Sequence, residues 1–181
     1  MSLSGLKSAL LDAVNGETDS LQAFNALAQA LNDYIQTNLI VKGTFAGVNT
    51  VPPFNPDPTT SVQYEVLSVG ILGPALMSGA AGGLSGFQSI LSTQLLTVMV
   101  NPITDTNVPP VVLPAPVPIL ALPVTIDMSG KPDNISAAYD QLASAIDASI
   151  VHMGSTPTPI PGALHAPTFS GVVTLTEQQW K

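Results

Sequence analysis

The sequence predicts an α+β fold in which amphipathic helices pack with a small, mostly antiparallel sheet and long proline-rich segments run extended between them. Three observations predict it. Apolar residues recur every three or four positions over four separate stretches, the period of a helix with one buried face. Other short runs alternate apolar with polar residues, the period of a half-buried strand. The 17 prolines gather between these stretches, where a fixed φ and a missing N–H forbid helix.

Taken in order, Leu3, Leu6, Leu10 and Val14 share a helical face, Ser2 or Ser4 offers an N-cap, and Asn15-Gly16 supplies a stop. This predicts a helical arm over 1–16, followed by one domain over 17–181. Thr18-Asp19-Ser20 caps a second helix, along which Leu21, Phe24, Leu27, Leu31, Ile35 and Leu39 form a stripe. Alanines at 23, 26, 28 and 30 let a neighbouring backbone come close. From Lys42 the pattern turns extended, then breaks at Val51-Pro52-Pro53-Phe54-Asn55-Pro56-Asp57-Pro58, which reads as a loop. Ser61 to Val66 alternates as a strand.

The central stretch between Glu65 and Asp127 carries a single charged residue, Asp105. Its glycines, from Gly70 to Gly86, read as loop, and Leu84, Phe87, Leu91, Leu95 and Val98 then restore helical spacing until Asn101-Pro102. Pro109, Pro110, Pro114, Pro116, Pro118 and Pro123 make the segment at about 102–123 extended. That segment has the length of a membrane span, but six prolines rule out a spanning helix and an open chain leaves its backbone groups unsatisfied in lipid. It reads either as an arm laid on a neighbouring subunit or as a buried connector.

Leu122 to Met128 alternates as a strand. Asp133 or Asn134 caps a further helix with Ile135, Tyr139, Leu142, Ile146 and Ile150 on one face. An offset of 115 lays this helix over the second, pairing Phe24 with Tyr139 and Leu31 with Ile146. Thr44-Phe45-Ala46-Gly47-Val48 downstream of one matches Thr168-Phe169-Ser170-Gly171-Val172 downstream of the other. An internal pseudo-repeat is the reading, with the helices Ser20 to Leu39 and Asp133 to Ile150 packed together through their small residues. Val172 to Thr176 reads as a closing strand, and Glu177 to Lys181 as a polar tail whose Trp180 is free to anchor in a partner.

Charge decides which functions to exclude. Apolar residues make up 45% of the chain and charged residues 9%, against a usual quarter, and the net charge is -8. Four lysines and no arginine cannot neutralise a nucleic-acid backbone. Without cysteine there is no disulfide, thiolate zinc site or thiol nucleophile. The first residues lack the unbroken apolar run of a signal peptide. His152 and His165 have no carboxylate between them to complete a metal site. Gly83-Leu84-Ser85-Gly86-Phe87 lacks the last glycine of a nucleophile elbow, and no glycine run fits a phosphate loop. Asn134-Ile135-Ser136 is a glycosylation sequon that also suits a helix cap. No cofactor is expected, and no catalytic role.

So few charges on so apolar a chain predict that partner subunits cover much of the exterior. The candidate interface residues are Phe87, Leu91, Leu95 and Val98 on the central helix, Val111, Val112, Leu113, Val117, Ile119 and Leu120 on the proline-rich segment, and Trp180. In overall style, with capped alanine-rich helices joined by loops such as Phe54-Asn55-Pro56-Asp57-Pro58-Thr59-Thr60-Ser61, the chain resembles the small virion proteins of tailed bacteriophages. That resemblance carries no diagnostic motif. It implies a structural subunit of a tail, baseplate or neck, homo-oligomeric, docked to other virion proteins and assembled in the host cytoplasm. A capsid decoration (cement) protein is one alternative. A membrane-active protein that places the uncharged 66–100 stretch in lipid is another.

Overall fold

The structure, a computed structural model, describes residues 3–49, 60–96, 99–102, 111–112, 117–118, 123–127, 134–151, 159–164 and 169–180. Five helices, α1 (Leu3–Val14), α2 (Ser20–Asn38), α3 (Gly73–Ala81), α4 (Gly83–Leu95) and α5 (Ile135–Val151), alternate with strands β1 (Leu39–Asn49), β2 (Thr60–Ser68), β3 (Met99–Pro102), β4 (Val111–Val112), β5 (Val117–Pro118), β6 (Pro159–Leu164) and β7 (Phe169–Trp180). The loop read at Val51 to Pro58 lies outside the described residues, as do His152 and His165.

The helices neighbour one another in the order α5, α1, α2, α3, α4. The Asp19 carboxylate starts α2 by accepting from the backbone N–H groups of Leu21 and Gln22, at 2.9 and 3.1 Å. Asn134 starts α5 in the same way through Ala137 N–H, at 2.9 Å, which is the use the structure makes of the sequon asparagine. Leu6 and Leu10 of α1 are buried between α2 and α5, and Lys7 bridges to Asp140 of α5 at 2.9 Å. The residues read as an arm therefore sit within the helical row, between α5 and α2. Helices α2 and α5, expected to pack on one another, each pack on α1.

Helix α3 falls where the glycines suggested a loop. Pro74 supplies a first-turn residue with φ already helical. The glycines serve close approach instead: a Cβ at Gly79 would lie 2.8 Å from Ile90 Cγ1 and 2.9 Å from Gly86 O, and one at Gly86 would overlap Gly79 O. Gly83, at φ +75°, makes the turn between α3 and α4. Asn32 of α2 fixes the approach to α3, donating to Ile71 O at 2.9 Å and accepting from Ile71 N at 3.0 Å.

The expected fold class, helices packed with a small antiparallel sheet, is corrected by where the core lies. Among the residues whose burial is described the core is largely helix on helix: Leu27, Leu31, Ile35, Leu76, Leu91, Leu95, Leu142 and Ile146 fill it, and Leu39, Val41 and Val66 of the strands join it. The extended segment within this core, 123–127, pairs with no strand among the described residues. Its burial alternates as expected, with Val124 and Ile126 inward, but α4 side chains hold it: Val124 N–H donates to Ser92 Oγ at 2.8 Å, and Gln88 Nε2 donates to Ile126 O at 3.3 Å.

The strands form one antiparallel sheet in the order β4-β6-β7-β1-β2-β3-β5. It is larger than the sequence implied. The two copies of the Phe-x-Gly-Val motif are immediate neighbours in it, paired at Gly47↔Gly171 with Val48↔Ser170 and Ala46↔Val172 on either side. Both edge strands come from the proline-rich segment, Val112 ending one and Val117 starting the other.

Candidate interaction surface

The ends of the helical row approach one another. Phe24 of α2 meets Phe87 of α4 with ring centroids 6.5 Å apart. Beside them lies an apolar groove of about 370 Å³, walled by Phe24 and Leu27 of α2, Leu84 and Phe87 of α4, Ile126, and Ile135, Ala138, Tyr139 and Leu142 of α5. None of these residues is charged. Burial in the groove wall pushes the Tyr139 hydroxyl above its ordinary pKa of 10.0, since the phenolate would lose water there.

At the groove mouth Leu84 is 41% exposed and Ile135 66% exposed. Ile135 also borders a second depression of about 400 Å³, formed with Leu11, Asp12, Val14, Asn15 and Gly16 at the end of α1, and so stands as a ridge between two hollows. At the other end of α4 a further apolar patch holds Leu72, 60% exposed, and Leu96, 47% exposed. Gln94 Oε1 accepts from Leu72 N–H at 3.2 Å and fixes the two segments together. From Gly73 to Leu95 there is no charged residue.

The residues expected at an interface are placed as follows. Phe87 is half-buried and lines the groove. Leu91 and Leu95, further along the same stripe of α4, are 0% exposed and belong to this chain's own core. Val111 and Val112 form β4, opposite Leu164 and Ala163, and Val117 lies in β5 opposite Val100. Val98, Leu113, Ile119 and Leu120 lie outside the described residues. Trp180 is half-buried in its own chain, where its Nε1 donates to Asp147 Oδ1 at 2.5 Å and its ring meets Tyr34 edge-on at 5.4 Å between centroids. The tail read as free is the end of β7, pinned to α5.

Leu84 and Ile135 stand out only in three dimensions. Each opens a helical apolar stripe in the sequence, and nothing in the periodicity distinguishes the member that overhangs the core from those within it. No group of three or more metal-ligating side chains occurs among the described residues, and no helix among them is long and apolar enough to cross a membrane. No protein family, curated relative or solved structure matches this chain.

Proposed function

We propose that this chain is a non-catalytic structural subunit that works by assembling with copies of itself and docking to neighbouring structural proteins. One observation carries the reading: the helical hairpin α3–α4 and its flanks present Leu72, Leu84 and Leu96 to the exterior on a surface with no charge from Gly73 to Leu95. An unpartnered surface of this kind favours association, because apolar area leaves water and no ionised group has to be desolvated. The phage-like style of the chain suggests a tail, baseplate or neck as the setting, with the virion as its location. Native mass spectrometry and negative-stain microscopy of the purified chain test the reading. It expects one defined multiple of the 18.6 kDa protomer and particles of closed symmetry. Particles of protomer size alone would reject it.

A further inference from the structure

We infer that Asn15-Gly16, in the turn between α1 and α2, is a site of spontaneous deamidation, and that the carboxylate it creates weakens the end of α1. The inference goes beyond the assembly reading and does not rest on it. The chemistry requires the backbone nitrogen of the next residue to reach the asparagine side-chain carbonyl, and a glycine there leaves the approach unobstructed. Asn15 is the sole asparagine of the chain that precedes glycine. It lies just past Val14, the last residue of α1, and both it and Gly16 are exposed. Gly16 stands at φ +90°, and a Cβ built on it would meet nothing within 4 Å, so this backbone has room to turn. Asn15 also borders the hollow of about 400 Å³ at the end of α1, where water for the reaction has access.

The step balances with water as its sole co-reactant. Gly16 N attacks Asn15 Cγ, the new C–N bond closes a succinimide ring, and the Cγ–Nδ2 bond breaks to release ammonia, which carries off the Gly16 amide proton. Water then opens the ring at either carbonyl, leaving aspartate or, where the main chain now runs through the side chain, isoaspartate. The other asparagines are held back. Asn55 and Asn101 precede proline, whose nitrogen has no hydrogen to give up. Asn49, Asn107 and Asn134 precede β-branched Thr50, Val108 and Ile135, which crowd the attacking nitrogen. Asn25 and Asn32 lie inside α2, where the next N–H belongs to the helix ladder, and Asn32 is tied to both polar groups of Ile71 as well. Asn38 is buried with its Nδ2 on Tyr34 O, and the N–H that follows it, of Leu39, is held by Ile35 O. A carboxylate at position 15 falls at the negative end of the α1 dipole, three residues after Asp12 and two before Glu17.

Peptide mapping of the full chain tests this, after incubation folded in warm, mildly alkaline buffer and in parallel unfolded in guanidinium chloride, each against a sample taken at the start. Cleavage after Lys7 and Lys42 yields the peptide from Ser8 to Lys42, whose fragmentation locates any exchange of amide for acid. In the folded chain Asn15 should convert ahead of every other asparagine, with isoaspartate, detected by isoaspartyl methyltransferase labelling, among the products. An Asn15 that converts in the unfolded chain but stays intact in the folded one would overturn the inference. So would an Asn15 intact in both, or another asparagine converting first. Asn15→Gln should abolish the labelling and keep the wild-type Tm, and labelling that persists in it would place the reaction elsewhere and overturn the assignment. Asn15→Asp should lower Tm by roughly 1–4 °C, the shift expected for one unfavourable charge at a helix end in a chain of this size. An Asn15→Asp protein as stable as the wild type would overturn the effect on α1.

Discussion

Gly86→Ala tests the α3–α4 hairpin, the element that presents the uncharged surface. In an isolated helix interior, replacing glycine by alanine stabilises by about 0.5–1 kcal/mol, because the unfolded chain has less freedom to lose. Here the new Cβ would overlap Gly79 O, a backbone atom that no side-chain rotation can move aside. The helices must separate, and the facing pair suffers too, since Gly79 already has Ile90 Cγ1 only 2.8 Å from where its own Cβ would stand. Overpacking of this kind costs about 1–3 kcal/mol. The net expectation is a loss of about 1–2 kcal/mol, or roughly 2–8 °C in Tm for a domain of this size. Thermal unfolding followed by circular dichroism, with urea titration at one fixed protein concentration, measures it. Ser89→Ala on the exposed face of the same helix is the control and should gain a few tenths of a kcal/mol, roughly the propensity difference. A Gly86→Ala protein as stable as the wild type would show that the two backbones are not in contact, and the reasoning about this hairpin would fail.

Other perturbations read different parts of the account. Leu31→Ala, at a fully buried position on α2, should cost about 2–5 kcal/mol in urea unfolding. Asp147→Ala removes the acceptor of the sole indole, so Trp180 fluorescence should shift and stability should fall by about 1–3 kcal/mol. Asp19→Ala removes the α2 cap and should cost about 0.5–2 kcal/mol, with helicity lost from the Ser20 end. Tyr139 has its folded pKa raised above 10.0, so its contribution to stability is fully present below pH 10 and is lost as pH rises through the folded value. Unfolding free energy should decline above pH 10, and Tyr139→Phe should make that decline shallower.

Four of the five helices among the described residues are legible in the sequence because each couples an apolar stripe to an identifiable start or stop, as with Asp19 before α2 and Gly16 after α1. Helix α3 is not, because glycine has two uses that look alike in a sequence. At Gly83 it turns the chain, whereas at Gly79 and Gly86 it removes side chains so that two helices can touch. The alternation of 123–127 is real, but alternation reports which side chains face inward and not what satisfies the backbone. Ser92 and Gln88 of α4 take the place of a partner strand. The matching Phe-x-Gly-Val segments are visible in the sequence, and their antiparallel pairing at Gly47↔Gly171 is not, since register depends on strands over a hundred residues apart. The interface residues suffer from the same ambiguity. Leu91 and Leu95 lie on the same apolar stripe as Leu84, and only packing decides that two are core and one is surface.

The account turns on whether this charge-poor exterior is covered by other copies of the chain. Light scattering coupled to size exclusion, run on the purified protein at successive dilutions, measures that directly. The account predicts a defined multiple of 18.6 kDa that dissociates only on dilution. A well-behaved 18.6 kDa protomer at every concentration would contradict it.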